Sequence, residues 1–358
     1  MAVRSANGPH ISRRSFLKGA ALLGGLSALR FPQALAGEAK EREASGALLG
    51  MARGETVRES LSEAVELSGG LGFLRKGETV LVKPNVNTGD PHPASTNPEV
   101  VYELLQLLRE REPRRIIVGD RSMLSRDTLH EMKKAGIFQA AREAGAEVKA
   151  FEDMRWHRIR PPGALNWEEG FRVSEILNQV DHIINLGVVK THFLAGFTMS
   201  LKNFVGFLHP DGRRLMHSRH GMRRWGRMSE EGRRELEARR ERNYPLFASM
   251  IAELGLSARP SLNILDGTRA FVSGGPIHGD ALEPGIIIAS RDRVAADVSG
   301  LALLRHLGTE ERIQSPSPWA QPQIRRAIEL GLGVRGISQI HLKAPGLAEI
   351  EGIRGKMV

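Results

Sequence analysis

The 358-residue sequence contains no cysteine. This absence excludes disulfides, thiolate nucleophiles and any zinc ion, haem or iron–sulfur cluster bound through cysteine. A metal would need histidine, carboxylate or carbonyl ligands. Long apolar runs are missing as well, because no segment approaches the roughly 20 apolar residues that span a bilayer. We therefore expect no cysteine-bound cluster and no membrane-spanning helix in the mature chain.

The formal net charge of +10 is confined to two segments of the chain. Residues 1–36 carry five basic residues and no acid, and residues 209–242 carry eleven arginines against six acids. The rest of the chain is balanced, with 35 basic and 35 acidic residues. Because the excess lies in a leader and in one insertion, it is not typical of a nucleic-acid-binding domain. The sequence predicts no nucleic-acid partner.

The first basic segment has the layout of a twin-arginine (Tat) signal peptide. Arg13 and Arg14 are followed by Phe-Leu-Lys, by a mildly apolar run over Gly19–Leu29, and by an Ala-x-Ala ending at Ala36. This is the order of a basic region, an apolar region and a cleavage site. We therefore expect recognition by the Tat translocase, cleavage after Ala36, a periplasmic or other extracytoplasmic location, and no stable membrane insertion after cleavage.

Short β-branched runs alternate with helical patterns along the rest of the chain. Helices are expected at 56–67, 98–110, 128–144, 294–306 and 323–330, and strands at 79–83, 115–119, 146–151, 182–186, 262–265, 286–289 and 337–342. Strands separated by helices of this length form βαβ units. The sequence therefore predicts an α/β fold with a mostly parallel sheet, helices on both faces and an Arg-rich helical insertion.

The predicted organisation is a signal peptide at 1–36, a flexible leader at 37–54, an α/β domain at 55–345 that contains the basic insertion at 209–243, and a C-terminal tail at 346–358.

The insertion combines a salt-bridged part with a purely basic part. Glu230 precedes Arg234, and Glu235 precedes Arg239, by four residues, which is typical of a solvated helix. The basic stretch 217–227 is interpreted as a solvated insertion, as a lid that supplies arginine to an anionic ligand, or as a surface that contacts anionic lipid or polyanions.

Polar residues follow several predicted strands, which is where ligands of open α/β sheets bind. The residues at these strand ends are Lys83 and Asn85, Asp120, Lys190 and His192, and Asp266. A second cluster, Lys202 and Asn203, lies in an apolar segment, where an unpaired ammonium is costly. The lysines are interpreted as ligands of a carboxylate or phosphate, as a base or Schiff-base nucleophile, or as structural partners of Asp120 and Asp266.

A glycine-rich loop follows the strand that carries Asp266. Gly274 and Gly275 are candidates for backbone contact with an anion. Neither this loop nor any other has the G-x-G-x-x-G or P-loop pattern at the required place, so NAD and ATP are not expected.

Histidines are the remaining candidate metal ligands. His192 and His209, with Asp266, are the residues considered for a divalent metal. No H-E-x-x-H or comparable spacing occurs, and the cofactor is left unassigned.

Several motifs together resemble the DUF362 family, whose name records that no activity is assigned to it. In chain order they are Lys83-Pro84-Asn85, Thr96-Asn97-Pro98, Gly119-Asp120, Lys190-Thr191-His192, Leu201-Lys202-Asn203 with Gly206, Gly274-Gly275-Pro276 with Gly279, and Ala296-Asp297. The resemblance covers about residues 80–307 and implies a fold but little chemistry. Many family members resemble iron–sulfur proteins with an appended Cys-rich module. A chain without cysteine departs from that pattern, so an electron-transfer role does not carry over.

Two functions from different classes remain open. The first is an exported enzyme that acts on an anionic metabolite, with Lys190, His192 and Asp120 as catalytic residues and Lys83, Asn85, Lys202, Asn203, Asp266, Gly274 and Gly275 as ligand-binding residues. The second is a non-catalytic periplasmic binding or assembly protein that uses the same pocket without an iron–sulfur cluster. The sequence names neither a substrate nor a reaction.

Overall fold

The structure is a computed structural model that describes residues 46–220 and 229–358. The predicted signal peptide, with Arg13, Arg14 and the cleavage site after Ala36, lies outside the described residues. Within those two ranges, none of the helices combines the length and the apolar character needed to cross a membrane.

A ten-stranded sheet forms the centre of the described chain, with the strand order β12-β1-β11-β9-β7-β2-β3-β4. Strand β8 pairs with β7 and β10 with β9, while β5 and β6 form a separate antiparallel pair. The strands are β1 (Ala47–Ala52), β2 (Thr79–Lys83), β3 (Arg115–Asp120), β4 (Glu147–Ala150), β5 (Trp156–Ile159), β6 (Phe171–Ser174), β7 (His182–His192), β8 (Gly196–Thr198), β9 (Leu262–Phe271), β10 (Ala281–Leu282), β11 (Ile286–Ser290) and β12 (Ile340–Lys343).

Helices connect these strands and pack against the sheet. They are α1 (Val57–Leu67), α2 (Pro98–Arg109), α3 (Thr128–Lys134), α4 (Ile137–Glu143), α5 (Ser200–Asn203), α6 (Pro210–His220), α7 (Glu230–Leu254), α8 (Arg293–Leu307), α9 (Glu311–Gln314), α10 (Pro322–Glu329) and α11 (Ile350–Gly355). A 3-10 turn over Phe204–Phe207 follows α5 directly.

Local sequence sets the start of two helices. The Thr56 hydroxyl accepts from the Glu59 backbone N–H at 3.2 Å, and the Glu59 carboxylate accepts from the Thr56 N–H, which is a capping box. The Asn97 side chain accepts from the Glu99 N–H at 3.0 Å, with Pro98 as the first residue of α2. Both helices begin and end within one residue of their predicted bounds.

Both faces of the sheet are covered because its central strands alternate their side chains between two cores. Val80 and Val82 of β2 pack with residues of α1 and α2 on one face. Leu81 packs on the other face in a cluster that includes Phe207 and, from α7, Phe247. All residues of β2 are buried, which is typical of a central parallel strand. The α/β class, the mostly parallel sheet and its helices are confirmed.

Two elements differ in extent from the sequence prediction. The helix predicted at 128–144 is two helices, because Gly136 takes a positive φ of 77° between α3 and α4. The sequence predicts a strand that ends at 186, but β7 continues to His192, since its end pairs with β8. Lys190 and His192 therefore lie within a strand, and Asp266 likewise lies inside β9 rather than after it.

The prediction of a flexible leader is wrong for residues 47–52. They form β1, which pairs with β11 and β12, and Leu49 and Met51 are fully buried. The segment 346–358 contains α11, whose Ile353 packs in the same apolar cluster as residues of α8. These contacts are distant in sequence, so local composition does not reveal them.

Candidate functional site

A small pocket lies where β2, β3 and β7 meet α5, its following 3-10 turn and α6. Its volume is about 40 Å³. Seven residues selected from the sequence line it together: Lys83, Asn85, Asp120, Lys190, His192, Lys202 and Asn203. The parallel pairing of β2 with β3 and β7 brings these segments side by side.

Lys83, at the end of β2, is held by three oxygen acceptors. Its Nζ lies 2.7 Å from Asp120 Oδ1 and donates to Asn203 Oδ1 at 3.1 Å and to the Pro84 carbonyl at 3.0 Å. The Lys83 and Asp120 side chains are 1% and 4% exposed, so the ion pair is almost completely desolvated. Burial lowers the pKa of Lys83, and the Asp120 carboxylate opposes that change.

Asp120 is occupied by structural contacts as well as by Lys83. Its Oδ2 accepts from the Val86 backbone N–H at 2.9 Å, and its Oδ1 accepts from the Arg121 N–H at 2.7 Å. The carboxylate thereby joins the end of β3 to the loop after β2. This geometry is that of an anchor for Lys83, whereas the sequence prediction placed Asp120 among the catalytic residues.

Lys190 is also saturated with acceptors. Its Nζ donates to Asn85 Oδ1 at 2.8 Å, to the Ala94 carbonyl and to the Pro276 carbonyl at 3.3 Å. Burial, followed by the charge of Lys202, lowers the pKa of Lys190 to about 7. The three oxygen atoms act against this lowering, because an ammonium has three N–H groups to donate. Lys190 therefore has the geometry of a fixed cation.

Lys202, on α5, differs from the other two lysines. Its side chain is partly exposed at the pocket, and no acceptor for its Nζ occurs among residues 46–220 and 229–358. Burial lowers its pKa to about 7, and the charges of Arg213 and Lys83 contribute to this shift. With a pKa near 7, Lys202 can serve both as an ammonium and as a free amine around neutral pH.

His192 lies at the pocket wall and accepts two backbone hydrogen bonds through one ring nitrogen. Its Nδ1 lies 3.1 Å from the Leu194 backbone N and 3.3 Å from the Ala195 backbone N, so it accepts from both N–H groups. Burial and the charge of Lys202 hold the pKa of His192 well below 6.5. Because Nδ1 accepts, the geometry assigns the ring proton to Nε2.

The two asparagines position lysines and each other. Asn85 Nδ2 donates to Asn203 Oδ1 at 3.2 Å, and Asn203 Nδ2 donates to Asn185 Oδ1 at 2.8 Å and to the Lys83 carbonyl at 3.1 Å. Asn85 also accepts from Lys190, as described above. Both side chains therefore bond to neighbouring protein groups and hold the pocket residues in place.

A buried carboxylate on α8 holds the helix that carries Lys202. Asp297 accepts from the Ser200 N–H at 2.7 Å and from the Leu201 N–H at 3.0 Å, which are the first two residues of α5. Burial raises the pKa of Asp297 to about 7, and these two backbone donors oppose that change. The structure thus connects the Ala296-Asp297 motif to the position of Lys202.

Arg213 lines the pocket but was not among the residues selected from the sequence. Its guanidinium donates to the Arg121 and Ser122 carbonyls at 2.7 Å each and to the Val205 carbonyl at 3.1 Å. Burial lowers its pKa to about 10, so it stays charged at neutral pH. The only sequence signal for Arg213 is its place just after the Lys202 segment.

Of the basic stretch 217–227, the structure describes residues 217–220, so the interpretation as a lid stays a prediction. Arg219 turns to the Asn166 carbonyl at 2.8 Å and to Glu168 at 3.2 Å. Residues 221–228 lie outside the described residues.

A second residue missed by the sequence prediction is Thr198 on β8. It lines the pocket, and its buried Oγ1 has no hydrogen-bond partner within the described part of the chain. Its register opposite Lys190 in the β7–β8 pair places it there. The sequence offers no comparable signal, because the hairpin was not predicted.

Four predicted site residues lie outside the pocket lining. Asp266 accepts from the Asn97 N–H at 3.0 Å and from the Thr268 hydroxyl at 2.7 Å. The Gly274 N–H donates to Glu310 at 2.6 Å, and Gly275 lies against the Thr191 backbone. The fourth residue, His209, is treated next.

His209 lies 3.0 Å from Arg172 and also contacts Asp211. The structure does not bring it together with His192 and Asp266 as metal ligands. Among residues 46–220 and 229–358, no group of three or more histidine, aspartate or glutamate side chains is arranged to hold a metal ion.

Comparisons with known proteins agree with the motif pattern. The family model of DUF362, described as a domain of unknown function, matches residues 80–302. A thylakoid-associated protein of Synechocystis sp. is 30% identical over 241 residues, which are 66% of this chain and 67% of that protein.

Two solved structures are more distantly similar. The lactate racemase apoprotein from Thermoanaerobacterium thermosaccharolyticum is 15% identical, with a TM-score of 0.45 over 70% of this chain and 55% of that one. A protein from Thermotoga maritima is 18% identical, with a TM-score of 0.38 over 81% of this chain and 60% of that one. This chain thus spans little more than half the length of either structure. The family match, which covers most of the sheet and every lysine of the pocket, shows that the chain belongs to the DUF362 family of unknown function.

Proposed function

We propose that this DUF362 protein is an exported protein that binds an anionic small molecule in the pocket described above and acts on it by acid–base chemistry. The observation that carries the proposal is the charge of the pocket. One lining cation, Arg121, faces Glu152 at 3.7 Å, while Lys83, Lys190, Lys202 and Arg213 share a single lining carboxylate, Asp120, which already pairs with Lys83. Lys190, Lys202 and Arg213 have no salt bridge among the described residues. A bound anion would supply the missing negative charge.

The size of the pocket limits what it holds. A volume of about 40 Å³ is room for about three water molecules, at roughly 10–15 Å³ each. This matches one carboxylate or phosphate group, with the rest of the ligand extending through the opening. The proposed ligand is therefore anchored by its anionic end.

Two groups at the pocket wall, Lys202 in its unprotonated form and His192, support an acid–base role. Lys202 offers a free amine as a base, and His192 offers Nε2–H as a donor. The sequence prediction named Lys190 or His192 as the acid or base. The acceptors around Lys190 favour Lys202 for the basic role instead. A non-catalytic binding protein would use the same cations and would release its ligand unchanged.

Anion binding should depend on pH. Calorimetric titration with inorganic phosphate and with acetate is expected to show tighter binding at about pH 6 than at about pH 8.5, by up to about tenfold per pH unit above the pKa of Lys202. The reason is that Lys202 attracts the anion only as an ammonium, and its pKa is lowered to about 7, whereas three oxygen acceptors keep Lys190 charged. Binding should be accompanied by proton uptake.

The stability of the unliganded protein should depend on pH in the opposite sense. A lysine with an ordinary pKa of 10.5 in the unfolded chain and about 7 in the folded one is less protonated when folded. The contribution of Lys202 to the free energy of unfolding therefore rises with pH between these two values.

Lys202→Met should weaken phosphate binding at least about tenfold, whereas the exposed Lys343→Met should not change it. Absence of phosphate and acetate binding at any pH would refute the proposal.

Export is the second part of the proposal and rests on residues 1–36. The double substitution Arg13→Lys and Arg14→Lys is expected to retain the precursor in the cytoplasm, because the Tat signal is read through its arginine pair. Arg30→Lys, in the same segment, is the matched control and should leave export intact. Cell fractionation and N-terminal sequencing of the exported chain measure the outcome. Equal export of the double-lysine variant would contradict this part.

A further inference from the structure

The three pocket lysines have the same chemistry but different surroundings. Lys83 and Lys190 each contact three oxygen acceptors, which matches the three N–H groups of an ammonium. Lys202 has no acceptor in the described ranges. Its lone pair is therefore the one available to attack an electrophile.

The surroundings of Lys202 favour its unprotonated form. The fixed guanidinium of Arg213 and the ammonium of Lys83 both oppose a third positive charge beside them. With burial, they lower the pKa of Lys202 to about 7, which is the usual requirement for a nucleophilic lysine. Arg213 and Lys190 also line the cavity, so an anion bound there lies beside the amine.

The pocket therefore combines an anion site with a nucleophilic amine in about 40 Å³. A ligand that satisfies both needs a carboxylate and an electrophilic carbon next to each other. A 2-oxo acid has this arrangement, because its carbonyl carbon is bonded directly to the carboxylate carbon.

We infer that Lys202 forms an imine with the carbonyl carbon of a 2-oxo acid whose carboxylate is held by the cations of the pocket. This inference rests on the proposed anion-binding function and specifies its ligand class. It follows from the contrast between Lys202, which has no acceptor within residues 46–220 and 229–358, and the two saturated lysines in the same cavity.

The chemistry balances without an oxidant or a reductant. The Lys202 Nζ lone pair attacks the carbonyl carbon, and the carbonyl oxygen takes a proton to give a carbinolamine. Loss of that oxygen as water, with the nitrogen proton, leaves the imine. His192 Nε2–H and the Thr198 hydroxyl line the pocket and can donate the proton that the carbonyl oxygen takes up. The buried Thr198 oxygen has no hydrogen-bond partner in the described part of the chain.

Reductive trapping tests the inference. The full chain is incubated with pyruvate and sodium cyanoborohydride at neutral pH, digested with trypsin and analysed by mass spectrometry. We expect one reduced pyruvate adduct on Lys202, which blocks cleavage after that residue and joins its peptide to the next. Modification of Lys202 should exceed that of the exposed Lys343 at least about tenfold, because a free amine is the reactive form. Lys190 should remain unmodified.

Three controls separate the inference from the proposed function. Acetone has a carbonyl group but no carboxylate and should trap far less on Lys202. Inorganic phosphate should protect Lys202 in the unaltered protein, so the result does not depend on a variant that folds poorly. Lys202→Arg should lose the adduct.

Phosphate binding without selective trapping on Lys202 would overturn the inference and leave the anion site standing. Failure of phosphate and pyruvate alike to bind would overturn the proposed function itself. Uniform trapping over all exposed lysines would also contradict the inference.

Discussion

Gly206→Ala is expected to lower the melting temperature by about 6–10 °C and to abolish anion binding. Gly206 lies in the 3-10 turn over the Lys83–Asp120 ion pair. A Cβ there would lie 2.5 Å from Lys83 Nζ, and closer still to Lys83 Cε and Asp120 Oδ1. The ion pair must therefore separate or the turn must move. We expect the disrupted buried pair to cost about 3–5 kcal/mol. At roughly 2 °C per kcal/mol in a chain of this size, this cost gives the stated fall in melting temperature.

A glycine with open surroundings provides the control for this substitution. A Cβ at Gly72 would meet no heavy atom within 4 Å. Gly72→Ala should therefore change neither the melting temperature by more than about 2 °C nor phosphate binding. Thermal unfolding followed by circular dichroism, together with calorimetry, measures both quantities. A Gly206→Ala protein as stable as Gly72→Ala would show that the turn does not close tightly over the ion pair.

Lys83→Met is expected to reduce the free energy of unfolding by about 3–5 kcal/mol. The substitution leaves the Asp120 carboxylate buried without its cation, and an unpaired buried charge is costly. Asp120→Asn in the same chain removes that charge while its amide oxygen still accepts from the Val86 N–H. The double variant should therefore lose less stability than the sum of the two single variants, with a coupling energy above about 1 kcal/mol.

An exposed ion pair provides the comparison for this double-mutant cycle. Lys76 and Glu112 lie 3.1 Å apart with side chains that are 76% and 65% exposed. Their coupling energy should stay below about 1 kcal/mol, since water screens both charges. Denaturant unfolding of the four variants of each cycle gives both values. Equal coupling in the two cycles would mean that burial does not strengthen the Lys83–Asp120 pair.

Local sequence was sufficient for several elements of the fold. The β-branched run 79–83 is β2, and the Asn97-Pro98 cap starts α2, because strand propensity and capping act over a few neighbouring residues. The same information failed where partners are distant. Strand β1 forms only because β11 and β12 pair with it, and the end of β7 is a strand because β8 pairs with it.

For the site, the sequence by itself was sufficient to select seven residues of the pocket from motifs spread over the α/β domain. They are three lysines, a histidine, two asparagines and an aspartate. It could not distinguish Lys83, Lys190 and Lys202, because their side chains are identical. The acceptors of Lys190 come from positions as far as 105 residues away along the chain, so only the tertiary structure decided which two lysines are bonded and which amine is left available.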